Sequence, residues 1–199
     1  MTTRHGARAL AVGTSAGGVE ALSHLAAALP ADFPAPVLVV LHVPAFSASN
    51  LPAILDRRGP LTVDHARDRE PLAAGRIYVA PPDFHLLVER DEIRVVRGPH
   101  EHNHRPAIDP LFRSVAASFG PGAIALVLTG ALDDGSSGAA AVAAKGGAVV
   151  VQDPKDAHYP DMPAHAIAAV PSAQVVPLAE IPALLDRLAR EPVSSFVVA

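Results

Sequence analysis

The segment best suited to chemistry lies near the start of the chain, where a short apolar run meets a glycine-rich turn. Residues 13–17 read Gly-Thr-Ser-Ala-Gly and fit the pattern G-x-S-x-G. The glycines of this pattern permit a sharp turn from a strand into a helix, which exposes the serine hydroxyl and nearby backbone N–H groups. The pattern therefore makes Ser15 a candidate nucleophile.

The motif alone leaves two other interpretations of this turn open. It fits an ordinary glycine-rich connection between a strand and a helix, and it fits an anion-binding turn at a helix N-terminus. A dinucleotide-binding turn is disfavoured because G-x-G-x-x-G is missing, and a Walker A loop is excluded because the segment lacks Gly-Lys-Ser/Thr. A catalytic interpretation therefore needs partners for the serine.

A serine hydroxyl is a weak nucleophile at neutral pH and needs a general base that a third group orients. His42 lies in the apolar run of residues 37–43, and Asp133 and Asp134 follow the run that ends at Leu128. If these runs are parallel strands beside the one that leads to Ser15, their carboxyl ends meet at one edge of the sheet. A histidine satisfied by backbone groups and a turn-forming or capping aspartate are the alternatives.

Hydrophobic patterning predicts the elements that would position these residues. Strands are predicted at 9–12, 37–43, 77–80, 123–128 and 148–152, and helices near 19–29, 50–58, 109–119, 136–145 and 178–188. Residues 84–89 and 92–97 resemble a hairpin. Asp109 before Pro110 predicts a carboxylate that caps its own helix. We expect one domain over residues 1–199, an α/β fold of three layers with a doubly wound, mostly parallel sheet and an antiparallel hairpin element.

Composition limits the classes of function. The formal charge is −4 with no basic stripe, so nucleic acid is an unsuitable partner. Half of the residues are hydrophobic and only 4% are aromatic, which favours layers of small aliphatic side chains. Without cysteine there is neither a disulfide framework nor a thiolate metal site. No stretch resembles a signal peptide or a membrane span, and we expect a cytoplasmic protein without membrane insertion.

Several segments, in order and over nearly the whole chain, resemble the catalytic domain of the chemotaxis protein-glutamate methylesterases, the CheB family. The segments are VGTSAGG (12–18), LHVP (41–44), YVAPPDFH (78–85), HRPAID (104–109) with LF (111–112), LTGALDDG (128–135), and MP (162–163) with AI (166–167). The resemblance implies a serine hydrolase that cleaves glutamyl γ-methyl esters on chemoreceptor-type signalling proteins. It also raises deamidation of protein glutamine as a second activity.

The resemblance implies a catalytic triad of Ser15, His42 and Asp134. It is this likeness, and not the spacing, that selects Asp134 over Asp133. The implied partner is a methylated chemoreceptor or another receptor's cytoplasmic domain, and the implied chemistry requires neither a cofactor nor a metal. The sequence does not name the receptor or the oligomeric state.

The same likeness implies an oxyanion hole formed by the backbone N–H groups of Ala16 and Ala131. It makes Arg105 a candidate contact for receptor carboxylates, with a solvated surface arginine as the alternative. The family usually has Met in place of Ala131, Asn in place of Asp133 and often Gln in place of Leu41. A second carboxylate beside the triad could raise a neighbouring pKa or discourage an anionic substrate.

The histidines at positions 100, 102 and 104 form an alternating tract that could bind a metal. We favour a loop on the substrate side, because the resemblance assigns this stretch there. Asp83 and His85 are interpreted as structural or rim residues.

Two expectations concern regulation and alternative functions. Family members commonly carry an N-terminal receiver domain, but the first predicted strand begins at about residue 9. We therefore expect no receiver domain here and regulation through another protein or through expression. The alternatives to a methylesterase are a non-catalytic receptor-binding regulatory module and a small-ester hydrolase.

Overall fold

A computed structural model of the chain describes residues 7–44 and 49–193. Its main sheet has seven strands, all parallel, in the order β3-β4-β2-β1-β7-β8-β9. These strands are Ala9–Thr14 (β1), Val37–Leu41 (β2), Thr62–His65 (β3), Arg76–Val79 (β4), Ala123–Val127 (β7), Ala148–Gln152 (β8) and Gln174–Val176 (β9). A separate antiparallel hairpin consists of His85–Glu89 (β5) and Glu92–Val96 (β6).

Six helices cover the two faces of the main sheet within the described residues. They are Gly18–Ala28 (α1), Leu51–Asp56 (α2), Ile108–Phe119 (α3), Ser136–Ala144 (α4), Asp161–Ala169 (α5) and Ile181–Arg190 (α6). Buried side chains of α1, α2 and α6 form one hydrophobic core with one face of the sheet. Those of α3, α4, α5 and the hairpin form a second core on the other face. The predicted three-layer α/β fold with a doubly wound sheet is confirmed.

The central strands β1, β2 and β7 are buried along their whole length, as the continuous apolar runs predict. Because β1 lies between β2 and β7 and all three are parallel, their carboxyl ends meet at one edge. Thr14 pairs with Leu41, and the N–H of His42 donates to the Thr14 carbonyl at 3.2 Å. Strands β2, β4 and β3 lie on one side of β1, and strands β7, β8 and β9 lie on the other. Open α/β sheets form their sites where the strand order reverses in this way.

Several elements differ from the sequence prediction. The strand predicted over 37–43 ends at Leu41, so His42 follows the strand and does not lie within it. Strands β3 and β9 and helix α5 were not predicted. Strands β3 and β9 are short and only partly buried edge strands, which lack a long apolar run or a clear alternation. The predicted hairpin is confirmed, but it forms its own sheet beside α3 and does not extend the main sheet.

None of the described helices has both the length and the apolar character that crossing a bilayer requires.

Candidate active site

Ser15 lies in the turn between β1 and α1. Gly17, at the start of the helix, has φ of 76°, a left-handed conformation that glycine adopts without the steric cost of a Cβ. The N–H of Ser15 donates to the carbonyl of Thr129 at 3.1 Å, and the N–H of Gly18 donates to the carbonyl of Ser15 at 2.9 Å. The turn is therefore stabilised by one hydrogen bond within itself and by another to the segment that follows β7.

Thr129, which follows β7 after one residue, supports this turn from the neighbouring strand. Its carbonyl also accepts a hydrogen bond from the Thr14 hydroxyl at 2.7 Å, and its own hydroxyl donates to the Ala16 carbonyl at 3.1 Å. The side chain is almost completely buried. Sequence reasoning did not assign Thr129 a role. A hydroxyl residue directly after a buried strand at the predicted site edge was the signal that could have revealed it.

Gly130 lets the loop after β7 approach the nucleophile. A Cβ at this position would lie 2.7 and 2.8 Å from the Cε and Sδ atoms of Met162 and 3.1 Å from the Cβ of Ser15. Real Cβ atoms essentially never lie closer than 3.0 Å to another heavy atom, so a side chain at this position would require the end of the Met162 side chain to move and would crowd Ser15. Gly130 therefore lies beside the Ser15 side chain, and Ala131 is the next residue along the chain.

Ser15, His42 and Asp134 form one hydrogen-bonded line. The Oγ atom of Ser15 is 3.2 Å from Nδ1 of His42, and Nε2 of His42 is 2.7 Å from Oδ2 of Asp134. The side chains of His42 and Asp134 are 5% and 1% exposed, so these contacts lie almost out of water. The structure brings together the three residues that the family resemblance selected.

Asp134 accepts two more hydrogen bonds, from the backbone N–H groups of Ile108 at 2.7 Å and Asp109 at 3.0 Å. Burial opposes ionisation, but the hydrogen bonds from His42 and these two N–H groups hold the pKa of Asp134 below its usual range. An ionised carboxylate can only accept a hydrogen bond, so Nε2 of His42 must carry the hydrogen that it donates to Asp134. Nδ1 is then left to accept the hydroxyl proton of Ser15.

The prediction that Asp109 caps its own helix is wrong. Helix α3 begins at Ile108, and its N-cap residue, Ala107, provides no side-chain cap. Oδ1 of Asp109 instead accepts from the N–H of Gly135 at 3.0 Å and of Gly138 at 2.6 Å, at the start of α4. Asp134, just before α4, accepts from the first N–H groups of α3. Each helix thus receives its capping carboxylate from the other.

The carboxylate of Asp133 faces His102. Its side chain is 59% exposed, and Oδ1 lies 3.4 Å from Nδ1 of His102, whose Nε2 lies 3.1 Å from Oδ2 of Asp109. Burial lowers the pKa of His102, but the charges of Asp134 and Asp109 and the hydrogen bond to Asp109 outweigh it, so the pKa is raised. The carboxylate of Asp133 therefore faces a histidine whose protonated form is stabilised.

His102, Asp109 and Asp134 offer possible metal-ligand atoms within 4.8 Å of one another. Both oxygens of Asp134 and Oδ1 of Asp109 already accept N–H hydrogen bonds, and Oδ2 of Asp109 faces His102. These carboxylates therefore cap helices, and the N–H groups and His102 offset their buried negative charge, so the group is explained without a metal ion.

Arg105 is engaged within the protein. Its Nε and Nη2 atoms donate to Oδ1 of Asp83, its Nη1 donates to the carbonyl of Gly98, and the side chain is 12% exposed. The Arg105 hydrogen bond holds the pKa of Asp83 below its usual range. Nη2 of Arg97, which is 63% exposed, lies 2.7 Å from the other oxygen of Asp83. The predicted contact of Arg105 with receptor carboxylates stays a prediction.

Leu132 has an unusual conformation in the loop before Asp134. Its φ is 66°, in the left-handed region, and its side chain is 61% exposed. A Cβ in this region collides with the following carbonyl oxygen, at a cost of roughly 1–2 kcal/mol for a residue such as leucine. Nδ1 of His165 lies 3.0 Å from the Leu132 carbonyl and helps to hold it.

Similarity to known proteins extends over nearly the whole chain. A family model described as CheB methylesterase matches residues 10–185. The structure is similar to the crystal structure of the Thermotoga maritima CheB methylesterase catalytic domain, with a TM-score of 0.87 and 33% identity over 92% of this chain and 98% of that one.

Two curated relatives differ in how much of their length the chain spans. A protein-glutamate methylesterase/protein-glutamine glutaminase of Nocardioides sp. is 41% identical over 94% of this chain, but the chain covers only 52% of that protein. A candidate protein-glutamate methylesterase/protein-glutamine glutaminase of Leptospira interrogans is 35% identical over 90% of this chain and 94% of its own length. The chain thus spans about half of the first relative and nearly all of the second.

Removing the carboxylate of Asp109 tests the exchange of caps. We expect Asp109→Ala to lower the free energy of unfolding by about 2–4 kcal/mol, because two buried N–H groups lose their acceptor. Asp109→Asn keeps one acceptor oxygen and should cost roughly half as much. Urea denaturation measures both. Asp153→Ala, which removes an exposed bond to the N–H of Lys155, is the control and should cost less than about 1 kcal/mol. An Asp109→Ala variant as stable as this control would contradict the cap.

The raised pKa of His102 predicts a pH dependence of stability. The folded protein holds this proton more tightly than the unfolded chain, whose histidine titrates near 6.5. The resulting stabilisation is fully present below pH about 6.5 and is lost as the pH rises through the raised pKa. We expect His102→Gln to unfold at lower temperature than wild type at pH about 5.5, with the gap closing at higher pH. His100→Gln is the control, and a gap independent of pH for His102→Gln would count against this assignment.

Replacing Leu132 with glycine should remove the unfavourable left-handed backbone conformation of a leucine and so stabilise the fold. We expect Leu132→Gly to raise the free energy of unfolding by about 0.5–1 kcal/mol, after allowing for the greater freedom of glycine in the unfolded chain. Leu132→Ala keeps the unfavourable backbone and loses a mainly exposed side chain, so its stability should stay close to wild type. Thermal unfolding of the three proteins decides the matter. A glycine variant less stable than the alanine variant would show that the backbone is not strained.

Proposed function

Because the chain belongs to the CheB methylesterase family, we propose that it hydrolyses glutamyl γ-methyl esters on receptor-type signalling proteins, with Ser15 as the nucleophile. The observation that carries this proposal is the hydrogen-bonded line from Ser15 through His42 to Asp134. It lies at the carboxyl edge of the sheet, where Gly130 lies close to the side chain of Ser15.

The first half of the reaction forms an acyl-enzyme. Nδ1 of His42 takes the hydroxyl proton as Ser15 Oγ attacks the ester carbonyl, and Asp134 stabilises the imidazolium that results. The tetrahedral intermediate collapses as His42 returns the proton to the leaving oxygen, which departs as methanol. The glutamyl group is then bound to Ser15 as an ester.

The second half releases the product. Water gives a proton to Nδ1 of His42 and attacks the acyl-enzyme, and the proton then passes to Ser15 Oγ as the new bond to serine breaks. The products of the whole cycle are methanol and a glutamate side chain, and the enzyme is unchanged. A glutamine side chain would follow the same course with ammonia as the leaving group, which is the proposed second activity.

The N–H groups of Ala16 and Ala131 are proposed to stabilise the oxyanion. Over residues 7–44 and 49–193, neither N–H has a protein acceptor, so both are available to a substrate oxygen. Ala16 directly follows the nucleophile, and Ala131 follows the glycine that abuts the Ser15 side chain. Loss of one such donor typically costs about 10²–10³ in turnover.

The proposed partner is the cytoplasmic domain of a methylated chemoreceptor or a similar receptor. The partner must present a glutamyl ester on an exposed side chain, because that ester has to reach Ser15 at the carboxyl edge of the sheet. Asp133, whose side chain is 59% exposed, adds a negative charge next to Asp134 in the chain.

The deciding experiment measures methanol release from a methylated receptor by wild type and by Ser15→Ala. We expect release by wild type and a loss of about 10⁴-fold or more in the variant, because the nucleophile is removed. Ser23→Ala, which removes a hydroxyl that donates to the Val19 carbonyl within α1, is the matched control and should act like wild type. An active-site serine reagent should label wild type at Ser15.

Other outcomes would favour the alternatives. A protein that is neither labelled at Ser15 nor active on the receptor would be a regulatory binding module. A protein that is labelled, and that hydrolyses small esters far faster than the methylated receptor, would be a small-ester hydrolase. Equal methanol release by wild type and Ser15→Ala would refute the proposed mechanism.

A further inference from the structure

His104 lies face to face with the imidazole of His42. The ring centroids are 3.7 Å apart and the ring planes differ by 8°. The edge of the His42 ring is already occupied, because its two nitrogens face Ser15 and Asp134. His104 therefore contacts a part of the ring that the triad itself leaves uncovered.

We propose that His104 is a positioning residue of the catalytic base, whose ring covers one face of the His42 imidazole and keeps it in line with the nucleophile. Hydrogen bonds at the edge of an imidazole direct its nitrogens, but they resist rocking of the ring out of its plane only weakly. A flat contact on the face opposes this motion. Since small errors in the placement of a reacting group cost large factors in rate, such a contact affects turnover. The inference rests on the proposed role of Ser15 as a nucleophile.

The backbone that presents His104 is itself unusual. Residues 101–104 form a tight turn in which the N–H of Glu101 donates to the His104 carbonyl at 3.2 Å and the N–H of His104 donates to the Glu101 carbonyl at 2.8 Å. The two central residues, His102 and Asn103, have φ of 49° and 62°. A histidine in the left-handed region is unfavourable, and such conformations persist near functional sites when their surroundings hold them.

The turn is held by contacts that do not involve His42. Nη2 of Arg113 donates to both carboxylate oxygens of Glu101, at 2.9 and 2.7 Å, and His102 lies 3.1 Å from Asp109. Arg113 and Asp109 both belong to α3, whose first N–H groups bind Asp134. The position of His104 is therefore set by the same helix that sets the position of the catalytic acid.

The charge state of His104 suits this role. Burial, and then the positive charge of His42, lower the pKa of His104, while the nearby Asp134 carboxylate acts in the opposite direction and His102 and His100 add to the lowering. An uncharged ring presents its electron-rich face to the imidazolium that forms during the reaction, which is attractive. A second positive charge at this distance would oppose it.

The test compares His104→Ala, which removes the face contact, with His104→Phe, which keeps a flat ring. His100→Ala, at an exposed neighbour in the same segment, is the control. The rate of labelling of Ser15 by a fluorophosphonate reports on the nucleophile and its base without needing the receptor. We expect about a tenfold or greater loss of rate in His104→Ala and, in His104→Phe and His100→Ala, rates within about threefold of wild type.

Recovery of the rate in His104→Phe separates positioning of the base from a general loss of structure. A disturbed loop would slow labelling in both variants, whereas the positioning role predicts that the flat ring of phenylalanine restores the rate. Thermal unfolding of each variant shows whether the fold is retained.

The possible results distinguish this inference from the proposed function. If wild type is labelled and His104→Ala is labelled equally fast, the positioning role is refuted. A loss in His104→Phe as large as in His104→Ala would also refute it, because the flat face would then not be what matters. If wild type itself is not labelled at Ser15, it is the proposed hydrolase function that fails.

Discussion

The exchange of capping carboxylates between α3 and α4 holds the candidate site together. The first N–H groups of a helix lack partners within the helix and carry partial positive charge, so they bind a carboxylate strongly. Here Asp134 binds the start of α3 while Asp109 binds the start of α4. Two buried negative charges side by side would repel each other, and the helix ends, together with His42 and His102, offset that repulsion. The acid of the triad is thus a part of the helix packing.

This arrangement depends on how closely the two helices approach. A Cβ on Gly138 would lie 2.6 Å from the Cβ of Phe112 and 3.0 Å from Oδ1 of Asp109, so α4 can deliver its N–H to that carboxylate only with glycine at this position. The rest of α4 is mainly alanine, which lets it lie close to α3 along its length. The small-residue composition of α4 therefore serves the site as well as the core.

Much of the fold was predictable from the sequence because its signals are local. The buried central strands are continuous apolar runs, and the turn at Ser15 has its own glycine pattern. Asp109 shows where such reasoning ends, since an aspartate before a proline looks the same whether it caps its own helix or the next one. The contact of His104 with His42 and the support from Thr129 join residues far apart in the chain, so no local pattern reveals them. The short edge strand β9 lacks a distinctive pattern as well.

The turn that carries Ser15 is completed from a distant part of the chain, since the Thr14 hydroxyl bonds to the carbonyl of Thr129, 115 positions later. His42 likewise meets its carboxylate 92 positions further on. During synthesis, the N-terminal segment leaves the ribosome long before these partners exist. A nascent chain that stops before β7 has the serine and the histidine but neither the Thr129 support nor the acid that orients the imidazole. The serine can therefore be activated only after the chain has been made as far as Asp134, and shorter translation products lack the complete triad.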